Sequence, residues 1–177
     1  MFQSFQDLRI TVDGVTIAAS VGGQGPPLLL LHGYPQHRWM WRPVAPHLAA
    51  HFTVVAPDMR GYGESDAPAA GEEVVGYAKR TVAAELVGVM EQLGHTRFAV
   101  AGHDRGGRVA HRMCLDHSER IVAAAVLDIV PTLRLFDNSD QAFATAYYHW
   151  FFLIQPPDLP EHMIGADPGY FLRTTLD

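Results

Sequence analysis

The sequence predicts an α/β domain built on a mostly parallel sheet with flanking helices. Three observations predict it. Short apolar runs at 28–31, 53–56, 98–101 and 121–129 suit buried strands, helical segments lie between them, and glycine-rich turns join strand to helix. Strands that alternate with crossover helices pair in parallel. The chain has 177 residues, 48% apolar and 18% charged, which suits one domain with a sizeable core and excludes disordered or fibrous classes. The net charge is -6, with one lysine, Lys79, among the 13 basic side chains. Such a chain has no basic field for a polyanion, so nucleic acid and anionic membrane are not expected as partners, and small or neutral ones are.

The elements follow in order. Residues 5–12 and 15–21 alternate in the manner of paired strands around Asp13-Gly14, a dipeptide that favours a tight hairpin turn. Gly22, Gly23, Gly25, Pro26 and Pro27 form a loop, not a phosphate cradle, because no helix follows them. The run 28–31 reads as a strand buried on both faces and ends in His32-Gly33-Tyr34-Pro35, where a cis bond before Pro35 is one option. A helix is expected over 39–50, then a strand over 53–56. In the loop that follows, Asp58, Arg60 and Ser65 pin the chain, and GYGES supplies turn geometry. A helix over 75–93 carries an apolar stripe at Val82, Leu86, Val89, Met90 and Leu93, closed by Gly94. Strand 98–101 leads through Gly102-His103-Asp104-Arg105-Gly106-Gly107 into a helix reaching about 117, and 121–129 reads as a further buried strand.

After Pro131 the character changes. Aromatic-rich helical signals at Phe143, Tyr147, Tyr148, Trp150, Phe151 and Phe152 are broken by Pro156, Pro157, Pro160 and Pro168, and no β-type run follows. Residues 1–130 are therefore read as the sheet core, with six strands, and 131–177 as part of a helical cap. The one cysteine, Cys114, cannot form an internal disulfide, and the opening residues lack a secretory pattern, so a cytoplasmic chain is expected. The longest apolar run, 121–127, is far short of the ~20 residues of a membrane span. His111, Cys114 and His117 share one helix, but without a second ligand cluster they are read as packing, and neither metal nor cofactor is expected.

The chemistry centres on Asp104. Small residues at Gly102, Gly106 and Gly107 permit a sharp strand-to-helix turn that lifts residue 104 onto the carboxyl end of the sheet, where open α/β sheets bind ligands. This has the form of a nucleophile elbow with aspartate in place of serine. A carboxylate is already ionised at neutral pH and can displace a leaving group to form a covalent ester, which points to alkyl transfer. The plainer alternative is an aspartate capping the helix that begins at 105. Arg105 beside the nucleophile, with Arg108 one turn on, suits a substrate carrying its own carboxylate. Taken alone, Arg108 also reads as a solvated arginine.

Together HGYPQHRWMW, PDMRGYGES, GHDRGGRVAHRM, LDIVPT, YHWFFL and IGADP resemble the α/β-hydrolase superfamily. Within it the chain is most similar to haloacetate (fluoroacetate) dehalogenases, with epoxide hydrolases and haloalkane dehalogenases close by. The pairings of Asp104 with Arg105 and of His149 with Trp150 carry the dehalogenase resemblance. It implies that Asp104 attacks the halogen-bearing carbon, that Asp128 is the triad acid orienting a histidine, and that the Tyr34 and Arg105 backbone N–H groups form the oxyanion hole. It further implies that Arg105 and Arg108 hold the substrate carboxylate, and that His149 and Trp150 donate to the departing halide. Bland readings stand beside two of these: Asp128 as a turn cap before Pro131, and the His149–Trp150 stretch as an aromatic helix face packing on the core.

In that family two further strands, a closing helix and the catalytic histidine follow the cap, so the resemblance implies a chain cut within its cap, about the first three-fifths of a domain. None of the ten histidines follows a late strand. The last strand is then expected to form an apolar sheet edge open to homodimer pairing. The expected activity is conversion of a 2-haloacid to a 2-hydroxy acid through an aspartyl ester. The alternatives are an epoxide hydrolase using Tyr147, Tyr148 or Tyr170 to protonate the epoxide oxygen, and a non-catalytic remnant or binding subunit.

Overall fold

The computed structural model describes residues 4–69, 75–156 and 158–176. The chain forms two compact units, Met1–Pro131 and Thr132–Asp177.

The first unit is a six-stranded sheet. Strands β1 (Gln6–Val12) and β2 (Val15–Gly22) form the hairpin expected around Asp13-Gly14, both residues at positive φ, 48° and 82°. Strands β3 (Pro27–Leu31), β4 (Thr53–Pro57), β5 (Phe98–His103) and β6 (Ile121–Leu127) complete the order β1-β2-β4-β3-β5-β6. The β1–β2 and β2–β4 pairs are antiparallel, and β3–β4, β3–β5 and β5–β6 are parallel. From β3 the chain passes to β4 on one side and then crosses to β5 on the other. The carboxyl ends of β3 and β5 therefore flank a topological switch point, the place where such sheets hold ligands.

Period-2 alternation divides the core between the two faces of the sheet. Leu29, Leu31, Val55 and Val100 pack with α2 (Lys79–Gln92) and α3 (Arg105–Asp116). On the opposite face Leu28, Leu30, Val54 and Ala56 pack with Phe5, Trp41 and Ala45. The stripe Val82, Leu86, Val89, Met90 is buried as expected, and Leu93 packs against it partly buried.

Several boundaries differ from the expectation. In place of one helix over 39–50 there are a 3-10 turn, Arg38–Trp41, and a short α1, Ala45–Leu48. Pro43 has no N–H for a continuous ladder, whereas Pro46 fits the first turn of α1. The helix expected over 75–93 opens as a 3-10 turn, Val75–Tyr77, and α2 begins only at Lys79 because Ala78 is extended, at ψ 143°. Strand β5 runs two residues beyond 101 to His103. Strand β6 stops at Leu127, two residues short of 129, and it is not buried: Val122, Val126 and Leu127 are all exposed. Its apolar composition fits a two-faced interior strand, yet among the described residues it pairs with β5 alone and lies at the sheet edge.

The second unit contains α4 (Thr132–Asp137), α5 (Gln141–Ala146), α6 (Tyr148–Leu153), α7 (Leu159–Ala166) and α8 (Pro168–Leu176). Two of the prolines read as breaks begin helices instead: Pro160 lies in the first turn of α7, and Pro168 is the first residue of α8. Pro157 lies outside the described residues. An aromatic cluster of Phe136, Phe143, Tyr147, Trp150 and Phe151 organises α4–α6, with Phe143 stacked on Tyr147 at 4.9 Å between ring centroids.

Candidate active site

The turn at residue 104 depends on close backbone approach. A Cβ on Gly106 would lie 2.5 Å from the Leu31 and His32 carbonyl oxygens, so only glycine lets α3 start against the end of β3. Asp104 sits between β5 and α3 at φ 50°, ψ -115°. A non-glycine residue held at positive φ is strained backbone of the kind found at functional sites. Its N–H donates to the Leu127 carbonyl at 3.1 Å, and its own carbonyl accepts from Arg108 N at 3.2 Å. These two bonds tie the elbow to the end of β6 and to the first turn of α3. The carboxylate does not cap α3, so the capping alternative falls. Instead Asp104 Oδ1 accepts the Tyr34 backbone N–H at 3.0 Å.

The loop after β3 is built to present that N–H. His32 is fully buried; its Nε2 accepts from Met59 N at 3.0 Å, which leaves the proton on Nδ1, 2.9 Å from the Gly33 carbonyl oxygen. Burial pushes its pKa below the ordinary value, in keeping with a neutral ring. The Tyr34–Pro35 bond is cis. Gln36 Oε1 accepts from Gly33 N at 3.2 Å and faces His103 Nδ1 at 3.2 Å.

Arg105 is held from two sides. Its guanidinium carbon lies 4.4 Å from the Tyr34 ring centroid, and Nη1 donates to the Tyr62 hydroxyl at 3.2 Å. Tyr62 in turn packs edge-on against His32, 5.0 Å between centroids. Arg108 is half-buried; burial pulls its pKa down while Asp104 favours its charge and Arg105 opposes it. Thus Asp104, Tyr34, Arg105 and Arg108, four of the residues singled out from sequence, meet at the switch point.

Asp128 follows β6 at φ 53°, with its side chain 82% exposed and Oδ2 3.4 Å from His103 Nε2. The expectation that it ends a buried strand is corrected, because the edge position of β6 leaves it open to solvent. The histidine it meets in this chain is His103. His149 and Trp150 are consecutive on α6. Within that unit Trp150 packs against Phe136, Phe143 and Tyr147, and His149 lies beside Tyr147 and Tyr148.

The loop after β4 is pinned through Asp58, Arg60 and Ser65. Asp58 Oδ1 accepts Arg38 N at 2.7 Å, Oδ2 accepts Glu64 N at 2.9 Å, and the Arg38 guanidinium bridges Asp58 and Glu64. Ser65 Oγ donates to the Asp58 carbonyl at 2.6 Å. Arg60 pairs with Glu85 of α2 through contacts of 2.6 and 3.2 Å.

Sequence reasoning missed Gln36, Tyr62 and Lys79 as site residues. Lys79, the first residue of α2, lines a cavity of about 90 Å³ with Tyr62, Tyr77, Arg60 and Arg105. Burial, then Arg105 and Arg108, push its ammonium down to about 8. Its being the sole lysine was the one available signal. On α3, burial raises the Cys114 thiol, and among the described residues no group of three metal-ligating side chains converges. Among those residues, too, no helix is long and apolar enough to cross a membrane.

The family model for the alpha/beta hydrolase fold matches residues 26–174. The chain belongs to that family. It is 49% identical over 176 residues to a fluoroacetate dehalogenase of Burkholderia sp, covering 99% of this chain and 58% of that protein. It is 37% identical over 170 residues to a soluble epoxide hydrolase of Corynebacterium sp. (strain C12), covering 94% and 58%. Among solved structures, a protein of Nostoc sp PCC 7120 assigned to the alpha/beta hydrolases superposes with a TM-score of 0.97 at 53% identity, covering 99% of this chain and 60% of that one. The chain therefore spans about three-fifths of the length of these relatives. The six-stranded, mostly parallel sheet with flanking helices described above is that of an alpha/beta hydrolase fold.

Proposed function

We propose that this chain carries the nucleophile and substrate-carboxylate subsite of a hydrolase that cleaves the carbon–halogen bond of a haloacetate. The observation that carries the reading is Arg105, clamped between the Tyr34 ring and the Tyr62 hydroxyl directly after Asp104. A fixed guanidinium there suits an anionic substrate and disfavours a neutral one.

On this reading Arg105 and Arg108 hold the substrate carboxylate and present its α-carbon to Asp104. A carboxylate oxygen attacks, the C–O bond forms as the carbon–halogen bond breaks, and the halide leaves with the bonding pair. Donors aimed at the developing halide charge lower this barrier; His149 and Trp150 are the candidates carried by the second unit. Water then attacks the ester carbonyl as a base takes its proton, and the Tyr34 and Arg105 backbone N–H groups receive the oxyanion. Collapse of the oxyanion breaks the ester C–O bond, the proton passes to the departing alkoxide, and the 2-hydroxy acid leaves with the Asp104 carboxylate restored. The Tyr34–Asp104 contact supports that role for Tyr34, since the N–H already faces the carboxyl group that becomes the ester. Water attack requires a base, and Asp128 is the acid proposed to orient it.

The similarity to an epoxide hydrolase favours a second reading, in which Tyr147, Tyr148 or Tyr170 protonates an epoxide oxygen as Asp104 opens the ring. Halide release from fluoroacetate or chloroacetate, lost in Asp104→Asn, is expected; styrene oxide turnover without halide release selects the epoxide reading. Intact mass after incubation with haloacetate tests the first displacement separately. An adduct on Asp104 supports it, and neither adduct nor turnover makes the chain a non-catalytic binding subunit.

A further inference from the structure

We propose that Lys79 is a third cation of the substrate-carboxylate subsite, acting on an anionic substrate through the cavity it shares with Arg105. The proposal rests on the haloacetate reading above.

The cavity of about 90 Å³ has room for a few small polar atoms or waters; three cations, two tyrosines and three apolar side chains line it, and among the described residues no carboxylate does. Of its three cations, Arg60 is committed to Glu85 at 2.6 Å and to the Gly76 carbonyl at 2.6 Å. Arg105 donates to Tyr62 and lies over Tyr34, contacts that orient a guanidinium without neutralising it. Among the described residues Lys79 forms no ion pair.

The charged and titratable groups around Lys79 come from four elements. From the elbow and α3 come Asp104, Arg105 and Arg108. The loop after β4 contributes Arg60 and Tyr62, and the 3-10 turn before α2 contributes Tyr77. On α2 itself Arg80 is paired with Asp116 and Glu85 with Arg60. Among the described residues, Lys79, Arg105 and Arg108 thus gather around one carboxylate, Asp104. Like charges gathered in a partly buried place repel one another, and an incoming anion relieves that repulsion. As the ester forms the Asp104 charge is lost, so the cluster holds the substrate's own carboxylate more firmly in the ester than before attack.

Lys79 is charged below about 8 and loses its proton above it. The attraction is therefore present at neutral pH and is lost as pH rises through that value, with bound anion moving the transition upward. The test is steady-state halide release by the full-length protein, which carries the base for ester hydrolysis, between pH 6.5 and 9.5, with haloacetate and with the neutral haloacetamide of the same halogen. KM for haloacetate should rise above pH 8 in the parent. In Lys79→Met it should be roughly tenfold higher at pH 7 and independent of pH, with kcat within about twofold. Lys79→Arg should restore the low KM and remove its rise above pH 8, and KM for haloacetamide should be unaffected by either change.

If Lys79→Met does not fold, the Lys79→Arg profile decides. A rise in KM above pH 8 that persists in Lys79→Arg overturns the proposal. So does an unchanged haloacetate KM in Lys79→Met, or an equal rise for haloacetamide. Halide release that depends on Asp104 but is indifferent to Lys79 removes only the lysine's role, whereas no Asp104-dependent release removes the dehalogenase reading itself.

Discussion

The Tyr34 ring lies beneath the Arg105 guanidinium, 4.4 Å from centroid to Cζ, while the Tyr34 backbone N–H donates to Asp104 Oδ1 at 3.0 Å. One loop residue thus touches both the proposed nucleophile and the cation beside it. Cation–π contact and a hydrogen bond at a single position couple the orientation of the two charges.

Tyr62→Phe keeps the edge contact with His32 and removes the hydroxyl that accepts from Arg105. A hydrogen bond to a charged donor contributes about 1.5 kcal/mol or more. The expected result is a KM for haloacetate raised roughly tenfold or more with kcat nearly unchanged, measured by steady-state halide release from the full-length protein. A fall in kcat at constant KM would contradict a positioning role.

Glu85→Ala leaves the Arg60 guanidinium without its carboxylate in a site where both side chains are almost fully buried. Removing one partner of a buried pair costs about 3–5 kcal/mol. Denaturant unfolding should show a loss of that size, and replacement of both residues by apolar ones of similar volume should recover much of it.

Gly106→Ala forces a Cβ against two backbone carbonyls of the β3 end. Overpacking against backbone costs roughly 1–3 kcal/mol or more. Gly165→Ala, at a helical position with nothing within 4 Å, should instead be neutral or stabilising by up to about 1 kcal/mol. Thermal denaturation of the two variants should separate them clearly.

His32 is buried, and its pKa lies below the value of an exposed ring. The unfolded chain therefore binds a proton at higher pH than the folded one. Stability from this residue is fully present above about 6.5 and is lost as pH falls from there through the folded value, at no more than about 1.4 kcal/mol per pH unit. Unfolding free energy measured from pH 8 to 5 should show this slope, and His32→Asn should flatten it.

Local patterns proved legible where the deciding physics is local. Asp13-Gly14 closes the first hairpin because both residues adopt positive φ, and the run 28–31 is buried on alternate faces of one strand. The elbow was legible because glycines at 102 and 106 flank a polar residue between a strand and a helix. The helix expected over 39–50 was not, because Pro43 interrupts a stretch whose apolar spacing alone looks continuous. The burial of β6 was misread for a different reason: Ala and Val runs fit an interior strand, but exposure depends on what pairs beside it.

By itself, then, the sequence determined the fold class, the strand-to-helix turn and the placement of Asp104 with Arg105, since these follow from spacing and backbone freedom within a few residues. Only the tertiary structure decided that Tyr34 reaches Asp104 across 70 positions, that Tyr62 orients Arg105 across 43, and that Lys79 shares a cavity with Arg105. Those contacts arise where β3 and β5 run side by side and α2 packs against α3. Residues distant along the chain meet there, and their charges acquire strength because burial removes the water that would screen them.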